Sequence, residues 1–523
     1  MCGIAAIIHP ADRASRFECV DHMTKLLEHR GGGGVSVSSF DHASLGSARL
    51  PIVDPLMGNQ PMQVGQLAIV FNGEIYNHNE LRNELEDVGI GFASACDTEV
   101  IVHGFRHWGK ALLPRLRGMY AFIIVDKLTG SHFAARDPFG IKPLYYAQNR
   151  EAWHFSSEIA PLLDLPRSSI KTFPPGGFMI DGIIENIKKP KVAKTQDDLP
   201  TSTDKFRQQF SASVERHLPP GDEPVAIFCS GGIDSSALAF EAAQACDRKG
   251  WNKRKKLALY SIGTPSAEDP IFAERLARTL DVPFFKEEID AEQLVYTVGD
   301  AVEAIESFEP NHIRAGTASL ALARRVHRDG FRIALLGEGA DELLGGYEEF
   351  PDAVRRHAGH EAERLLELFT DQLHLTQLRR VDRTTMRYRI EARVPFLDDQ
   401  LTRFIEALPL DHKIHRAADG TVTGKHILRE AYRGRLPDEI VDRRKIPMGE
   451  GSGIGDNRPT SGLFDDHVGR QLPDEVYSHL VAAHPQFKLK TKEDAYYFSL
   501  FHRKFGDLPL AEERPATNVM ATT

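Results

Sequence analysis

Residues able to do chemistry fall into two sets, one at the amino end and one in mid-chain. Cys2, once Met1 is removed, carries a thiol and a free α-amine together. That amine titrates near ~8, so it can serve as general base for its own thiol without a histidine. A cysteine at position two carries little weight by itself, but the residues after it add to the case. Phe71-Asn72-Gly73-Glu74-Ile75-Tyr76-Asn77 follows the apolar run Leu67-Ala68-Ile69-Val70. The Asn72 amide and the Gly73 N–H are suited to hold the oxyanion of a tetrahedral intermediate. Arg49 offers a fork for a carboxylate, and Asp97 a counter-charge for an ammonium. Singly these are weak signals, since most arginines are solvated and Asn-Gly is usually a turn.

The second set begins with Ser230-Gly231-Gly232-Ile233-Asp234-Ser235-Ser236. Glycines that allow close backbone approach, free N–H groups and a helix N-terminus together suit phosphate. Asp234 would repel that phosphate unless a cation such as Mg²⁺ lay between them. A further acidic, Gly-rich segment, Gly337-Glu338-Gly339-Ala340-Asp341 through Tyr347, has the same difficulty and the same remedy. Asp341 can share a Mg²⁺ with Asp234, and Glu338 is placed to face a transferring acyl group. Lys445, between two preceding arginines and a following Gly-rich stretch, suits an anion.

The elements that must position these groups are legible nearby. Val225-Ala226-Ile227-Phe228-Cys229 reads as a buried parallel strand and Ala237–Ala245 as the helix after the turn. Leu257–Gly263 reads as the next strand and Phe331–Leu336 as a third. Their carboxyl ends should face the ligand. The polar, proline-containing stretch Lys188–Asp204 reads as a linker, with helical periodicity resuming at Lys205.

A chain of 523 residues has room for two or three domains. A net charge of −10 argues against nucleic-acid partners, and no apolar run approaches the ~18 residues of a membrane span. Five scattered cysteines without a CxxC pair fit a reducing, cytoplasmic setting, and no secretory signal is visible. They also offer no structural zinc site.

The heptapeptide at Ser230 resembles the pyrophosphate loop of ATP pyrophosphatases, and lacks the Gly-Lys-Ser/Thr of a Walker A loop. Cys2, Arg49, Asn72-Gly73 and Asp97, with His29-Arg30-Gly31, Gly118–Phe122, Ala135–Tyr146 and Phe155–Glu158, resemble the class II glutamine amidotransferase domain. The two together, with Glu391-Ala392-Arg393-Val394-Pro395-Phe396-Leu397-Asp398, resemble the glutamine-hydrolysing asparagine synthetase family. The resemblance implies an α/β chain with an αββα N-terminal-nucleophile domain over residues 2–190. A parallel-sheet ATP-pyrophosphatase domain over 205–512 and a tail over 513–523 would follow. It implies catalysis by Cys2, Asn72, Gly73, Glu338 and Lys445. It implies a glutamine pocket of Arg49, Leu50, Ile52, Val53, Asn72, Gly73, Glu74 and Asp97. ATP would lie on Cys229, Ser230, Gly231, Gly232, Asp234, Ser235, Ser236, Ile262, Leu336 and Gly337, with Mg²⁺ on Asp234 and Asp341. The implied partners are glutamine, ATP and aspartate or another carboxylic acid, in a possible homodimer, with ammonia crossing an internal tunnel.

Two departures from the family pattern stand out. Its Arg-Gly-Pro-Asp turn reads Arg30-Gly31-Gly32-Gly33-Gly34, which raises loop entropy, so a mobile loop is expected beside the glutamine pocket. In Glu306–Thr317, Arg314 is retained for an acceptor carboxylate, but Glu309 and Gly316 replace the usual Asp and Ser. Each change shifts selectivity by only ~1–3 kcal/mol, so another acid in secondary metabolism stays open as acceptor. The β-lactam synthetase branch has no need of a terminal cysteine, and Cys2 argues against it.

Overall fold

The computed structural model describes residues 1–8, 13–187, 192–265, 267–356, 359–453 and 463–508. The chain separates into two compact units, one built on Met1–Lys189 and the other on Pro190–Thr385 with Ile390–Lys504.

The first unit holds two six-stranded antiparallel sheets. One contains Cys2–Ile8 between Ala43–Arg49 and Ala152–Ser156; the other contains Leu67–Ile75 beside Gly118–Asp126. Alternation decides which faces meet. Cys2, Ile4, Ala6 and Ile8 pack with Ala68, Val70, Ala121 and Ile123 in a core shared by both sheets. Ile69, Phe71 and Ile75 face the other way, onto helix Asp97–Trp108 and helix His78–Asp87. Helix Arg13–Leu26 covers the outer face of the first sheet. The layers therefore run helix, sheet, sheet, helix, as the αββα expectation has it.

The expected strand Leu67–Val70 is longer, running to Ile75, so Asn72-Gly73 lies inside a strand and not in a turn. Nine register pairs with Gly118–Asp126 override the local turn preference of Asn-Gly. The four-glycine stretch, expected to be loose, is tied down: Gly32 and Gly33 donate to the Arg49 carbonyl at 3.0 and 2.8 Å.

The second unit is organised by a parallel sheet of five strands. Their order is Phe284–Glu288, Leu257–Gly263, Val225–Phe228, Ile333–Leu335, Glu391–Arg393. The chain moves outward one way from Val225–Phe228, then returns to its other side, so the order reverses between Val225–Phe228 and Ile333–Leu335. In open α/β sheets the ligand crevice lies at that reversal, beyond the carboxyl ends. Ile333–Leu335 is shorter than the expected Phe331–Leu336. Helix Leu199–His217 starts inside the stretch read as linker, capped by Asp198, which accepts from the Thr201 N–H at 3.0 Å. Of that stretch, residues 188–191 lie outside the described residues, as does the expected tail. Among the described residues no helix is long and apolar enough to cross a membrane.

Candidate active sites

In the first unit the amino end of strand Cys2–Ile8 pairs with Arg49 and faces Asn72 on the opposite sheet. The Cys2 N–H donates to Asn72 Oδ1 at 3.0 Å, which fixes the amide so that Nδ2 points elsewhere. Asn72 is 0% exposed, and its Nδ2 is buried without a protein partner. An unmet buried donor is costly, and one beside a thiol suits an oxyanion.

Backbone geometry adds a second donor. Phe71 N–H points off the strand to Gln60 Oε1 at 2.7 Å, and Ile75 N–H points to Asp97 Oδ2 at 3.1 Å. Strand N–H directions repeat every second residue, so Gly73 N–H projects on the same side, between them. A Cβ on Gly73 would collide with the Met119 carbonyl. Gln60, which the sequence reading missed, also reaches Cys2 Sγ through Nε2 at 3.7 Å.

A recess of about 20 Å³ is lined by Cys2, Arg49, Leu50, Ile52, Val53, Gly73, Glu74 and Asp97, with Met1, only 4% exposed, in its wall. Asn72 stands just behind that wall, hydrogen-bonded to Cys2. Arg49 is anchored by Nη1 to Pro55 O and Asn59 Oδ1 and by Nη2 to Val53 O and Asp54 O, at 2.7–3.2 Å. Burial pushes the Asp97 carboxyl above its usual range, while the nearby chain terminus and His78 pull it down. A cationic ligand at Asp97 would tip it to the ionised form.

In the second unit a cavity of about 350 Å³ opens at the sheet's reversal point. Cys229, Ser230, Asp234, Ser235, Ile262, Leu336, Gly337, Glu338, Asp341, Arg314 and Lys445 line it. Gly231, Gly232 and Ser236 shape the turn without forming its wall. Gly231 takes a left-handed φ of +70°, and a Cβ there would strike Phe272. Gly232 is the N-cap of helix Ile233–Lys249, leaving that helix's first N–H groups toward the cavity.

The acidic pair is bridged by a residue the sequence reading did not single out. Lys425 Nζ lies 2.5 Å from Asp234 Oδ2 and 2.6 Å from Asp341 Oδ1, while Lys445 Nζ lies 2.7 Å from Asp341 Oδ2. Burial opposes ionisation of Asp341, but the two lysines hold its carboxyl down at about 2. Asp234 Oδ1 is buried without a protein partner. Converging carboxylates with an unmet hard oxygen are the kind of donors a Mg²⁺ ion takes.

Glu338 accepts from Arg380 Nη2 at 2.7 Å. Beside it, burial and the Asp341 charge push the Glu342 carboxyl up to about 7, although Tyr347 O–H donates to it at 2.6 Å. Arg314 is in the wall, but its Nε and Nη2 form a bidentate pair with Glu493 of helix Lys492–Phe505. His312, next to it, is held neutral by burial and the Arg380 and Arg379 charges, its ring pushed down to about 3. Lys425 and Glu493 carry no local motif; only the fold brings them against residues that line the cavity.

Comparison with known proteins follows the same division. A family profile described as "Glutamine amidotransferase domain" matches residues 1–175, and one described as "Asparagine synthase" matches 205–361 and 352–495. The chain is 30% identical to asparagine synthetase [glutamine-hydrolyzing] 2 of Oryza sativa subsp. japonica, over 97% of this chain and 86% of that protein. It is 29% identical to asparagine synthetase [glutamine-hydrolyzing] 2 of Arabidopsis thaliana, over 97% and 88%. A probable asparagine synthetase [glutamine-hydrolyzing] of Schizosaccharomyces pombe is 30% identical over 87% and 85%.

Proposed function

Because the chain belongs to the glutamine-hydrolysing asparagine synthetase family, we propose that it makes asparagine from aspartate, ATP and glutamine. In the first unit, once Met1 is removed, the free Cys2 amine takes the proton of its own thiol, and the sulfur attacks the glutamine side-chain carbonyl. Asn72 Nδ2 and Gly73 N–H receive the oxyanion, ammonia departs, and water releases glutamate from the thioester. Arg49 takes the glutamine carboxylate, and Asp97 takes its ammonium.

In the second unit the β-carboxylate of aspartate attacks the α-phosphorus of ATP, and pyrophosphate leaves. Ammonia then adds to the acyl carbon of the mixed anhydride and AMP departs, Glu338 taking a proton from the incoming nitrogen. The helix N-terminus at Gly232 and the ammonium of Lys445 receive the phosphates, while the buried Lys425 holds Asp234 and Asp341 in place. Asp234 and Asp341 would hold Mg²⁺, whose charge offsets that of the phosphates. Adenylation converts a poor leaving group into AMP.

The observation that carries this reading is the cavity at the sheet's reversal point, lined by Ser230, Asp234 and Ser235 from the turn and first helical residues together with Lys445, Asp341 and Glu338. Mass spectrometry after incubation with ATP, Mg²⁺, glutamine and aspartate tests it. Asparagine, glutamate, AMP and pyrophosphate in equal amounts are expected; ADP and phosphate, or no AMP, would refute it.

A further inference from the structure

Among the described residues the cavity wall holds three cations placed to meet an acid, and each has a carboxylate partner. Lys445 is paired with Asp341, Arg380 with Glu338, and Arg314 with Glu493. The first two stand beside the phosphate loop and the residue that takes the amine proton, so they belong to the reacting end of the acceptor. Arg314 is different. It projects from helix Pro310–Arg328, and the Nε/Nη2 edge of its guanidinium holds Glu493 side-on, the arrangement in which an arginine grips a free carboxylate. Tyr497 O–H, on the same helix as Glu493, donates to Glu493 Oε1 at 2.8 Å. Both Glu493 and Tyr497 are buried. The remaining wall on this side offers anionic or neutral groups, among them Glu309, Asn311, Glu349 and Gln372. An acceptor with two carboxylates therefore meets a fork already filled by one of the protein's own.

We propose that Glu493 occupies the seat of the acceptor's second carboxylate on Arg314, so that binding a dicarboxylic acceptor requires displacing it. Glu493 then sets how strongly such acceptors are held, without touching the reaction. This rests on the assignment of aspartate as acceptor, whose α-carboxylate would be the displacing group. A carboxylate held by a charge-assisted pair competes far better than a neutral amide of the same shape.

The test is steady-state release of AMP against aspartate concentration for the wild type, Glu493→Gln and Tyr497→Phe. Glu493→Gln keeps the side-chain shape and one hydrogen bond to Arg314, but removes the competing charge. Its KM for aspartate should fall about tenfold with kcat and the KM for ATP unchanged, the equivalent of losing one charge-assisted hydrogen bond. Tyr497→Phe loosens the same carboxylate without changing any charge, and should lower the KM in the same direction by a smaller factor. It also serves as the reading if Glu493→Gln does not fold. An aspartate KM that is unchanged or higher in both variants would make Glu493 a brace for Arg314 and overturn the proposal. Wild-type enzyme that releases no AMP with aspartate would instead overturn the acceptor assignment, and the proposal with it.

Discussion

Lys425→Met tests the charge arrangement of the nucleotide cavity most directly. Lys425, Lys445, Asp234 and Asp341 form a compact set of two ammonium and two carboxylate groups, neutral in sum, with the Lys425 side chain 2% exposed. Methionine fills similar volume but leaves two carboxylates facing one ammonium. Removing one partner of a buried ion pair costs roughly 3–5 kcal/mol, since the remaining charge has neither water nor a counter-ion. At ~2.1 cal/mol/K of unfolding entropy per residue, a unit of this size loses roughly 1.5 °C per kcal/mol, so Tm in EDTA should drop by about 4–8 °C. The variant's freed carboxylate oxygens are hard ligands, so Mg²⁺ should substitute for the lost cation. At about 100-fold over its Kd a bound ion returns ~2.7 kcal/mol. Scanning calorimetry with EDTA and with 10 mM-scale (~) MgCl₂ reads both effects, and Mg²⁺ should raise the variant's Tm more than the wild type's. Glutamate release from glutamine, the work of the other unit, should be unchanged. A variant that melts within about 2 °C of wild type in EDTA would refute the reasoning, because it would mean that the bridge carries no stability.

Three further outcomes are expected. Asn72→Ala removes the unpartnered Nδ2 donor and the acceptor of the Cys2 N–H together, so glutaminase kcat should fall about 10²–10³-fold or more while ammonia-dependent amide formation persists; parallel assays with glutamine and ammonium chloride read the split. In Gly346→Ala the new Cβ would collide with Asp341 Oδ1 and Lys425 Cε, so AMP release should drop at least about tenfold with glutaminase intact, as two coupled assays would report. His217 is fully buried, and burial pushes its pKa down to about 4 while its Nδ1–H donates to Ser213 O at 2.8 Å. The unfolded chain takes up a proton near ~6.5 and the folded chain does not until about 4, so stability is complete above the first value and falls as pH drops between them. The ceiling is about 3 kcal/mol, and denaturant midpoints at several pH values should show a shallower loss in His217→Asn.

The sheets were legible where apolar runs are local. Leu257–Gly263 matches its run residue for residue, and Val225–Phe228 falls one short of Cys229, whose N–H still donates to Tyr260 O at 2.8 Å and which lines the cavity. Local reading stopped too early at Val70, because Asn72-Gly73 resembles a turn, whereas pairing with a strand some fifty residues away keeps it extended. The helix at Leu199 carried its own signals, an Asp N-cap and a proline in the first turn, and these were outweighed by the polar composition around them. Motifs hold Cys2, Asn72, Asp234, Glu338, Asp341 and Lys445 close in sequence to glycines or to each other, which makes them legible. Lys425 has no such motif, since it reaches Asp234 across 191 positions and does so from a left-handed backbone, φ +56°, that its N–H bond to Leu344 O supports. Nothing in Thr423-Gly424-Lys425 announces that reach.

The two arginines read from sequence as carboxylate clamps differ in a way that only their partners reveal. Arg49 spends four donors on neutral oxygens, three of them backbone carbonyls of the segment it anchors. Those contacts fix its direction without a direct ion pair, the Asp54 carboxylate feeling its charge only from farther off, so an incoming carboxylate meets a preorganised positive site. Arg314 is fixed just as firmly, but by Glu493, and its charge is cancelled by the same contact that orients it. The first arrangement favours tight capture of an anion at no exchange cost. The second makes capture an exchange, in which affinity follows the difference between two carboxylates and not the strength of either. A cell-like abundance of acceptor would tolerate that difference, and it would reject anions too weak to displace Glu493. Selectivity at the second site would then come from the protein's own competing group, so Glu493→Gln should admit weaker anions as inhibitors of AMP release as well as lower the aspartate KM. Inhibition by simple monocarboxylates that is equal in wild type and variant would remove the ground for this distinction.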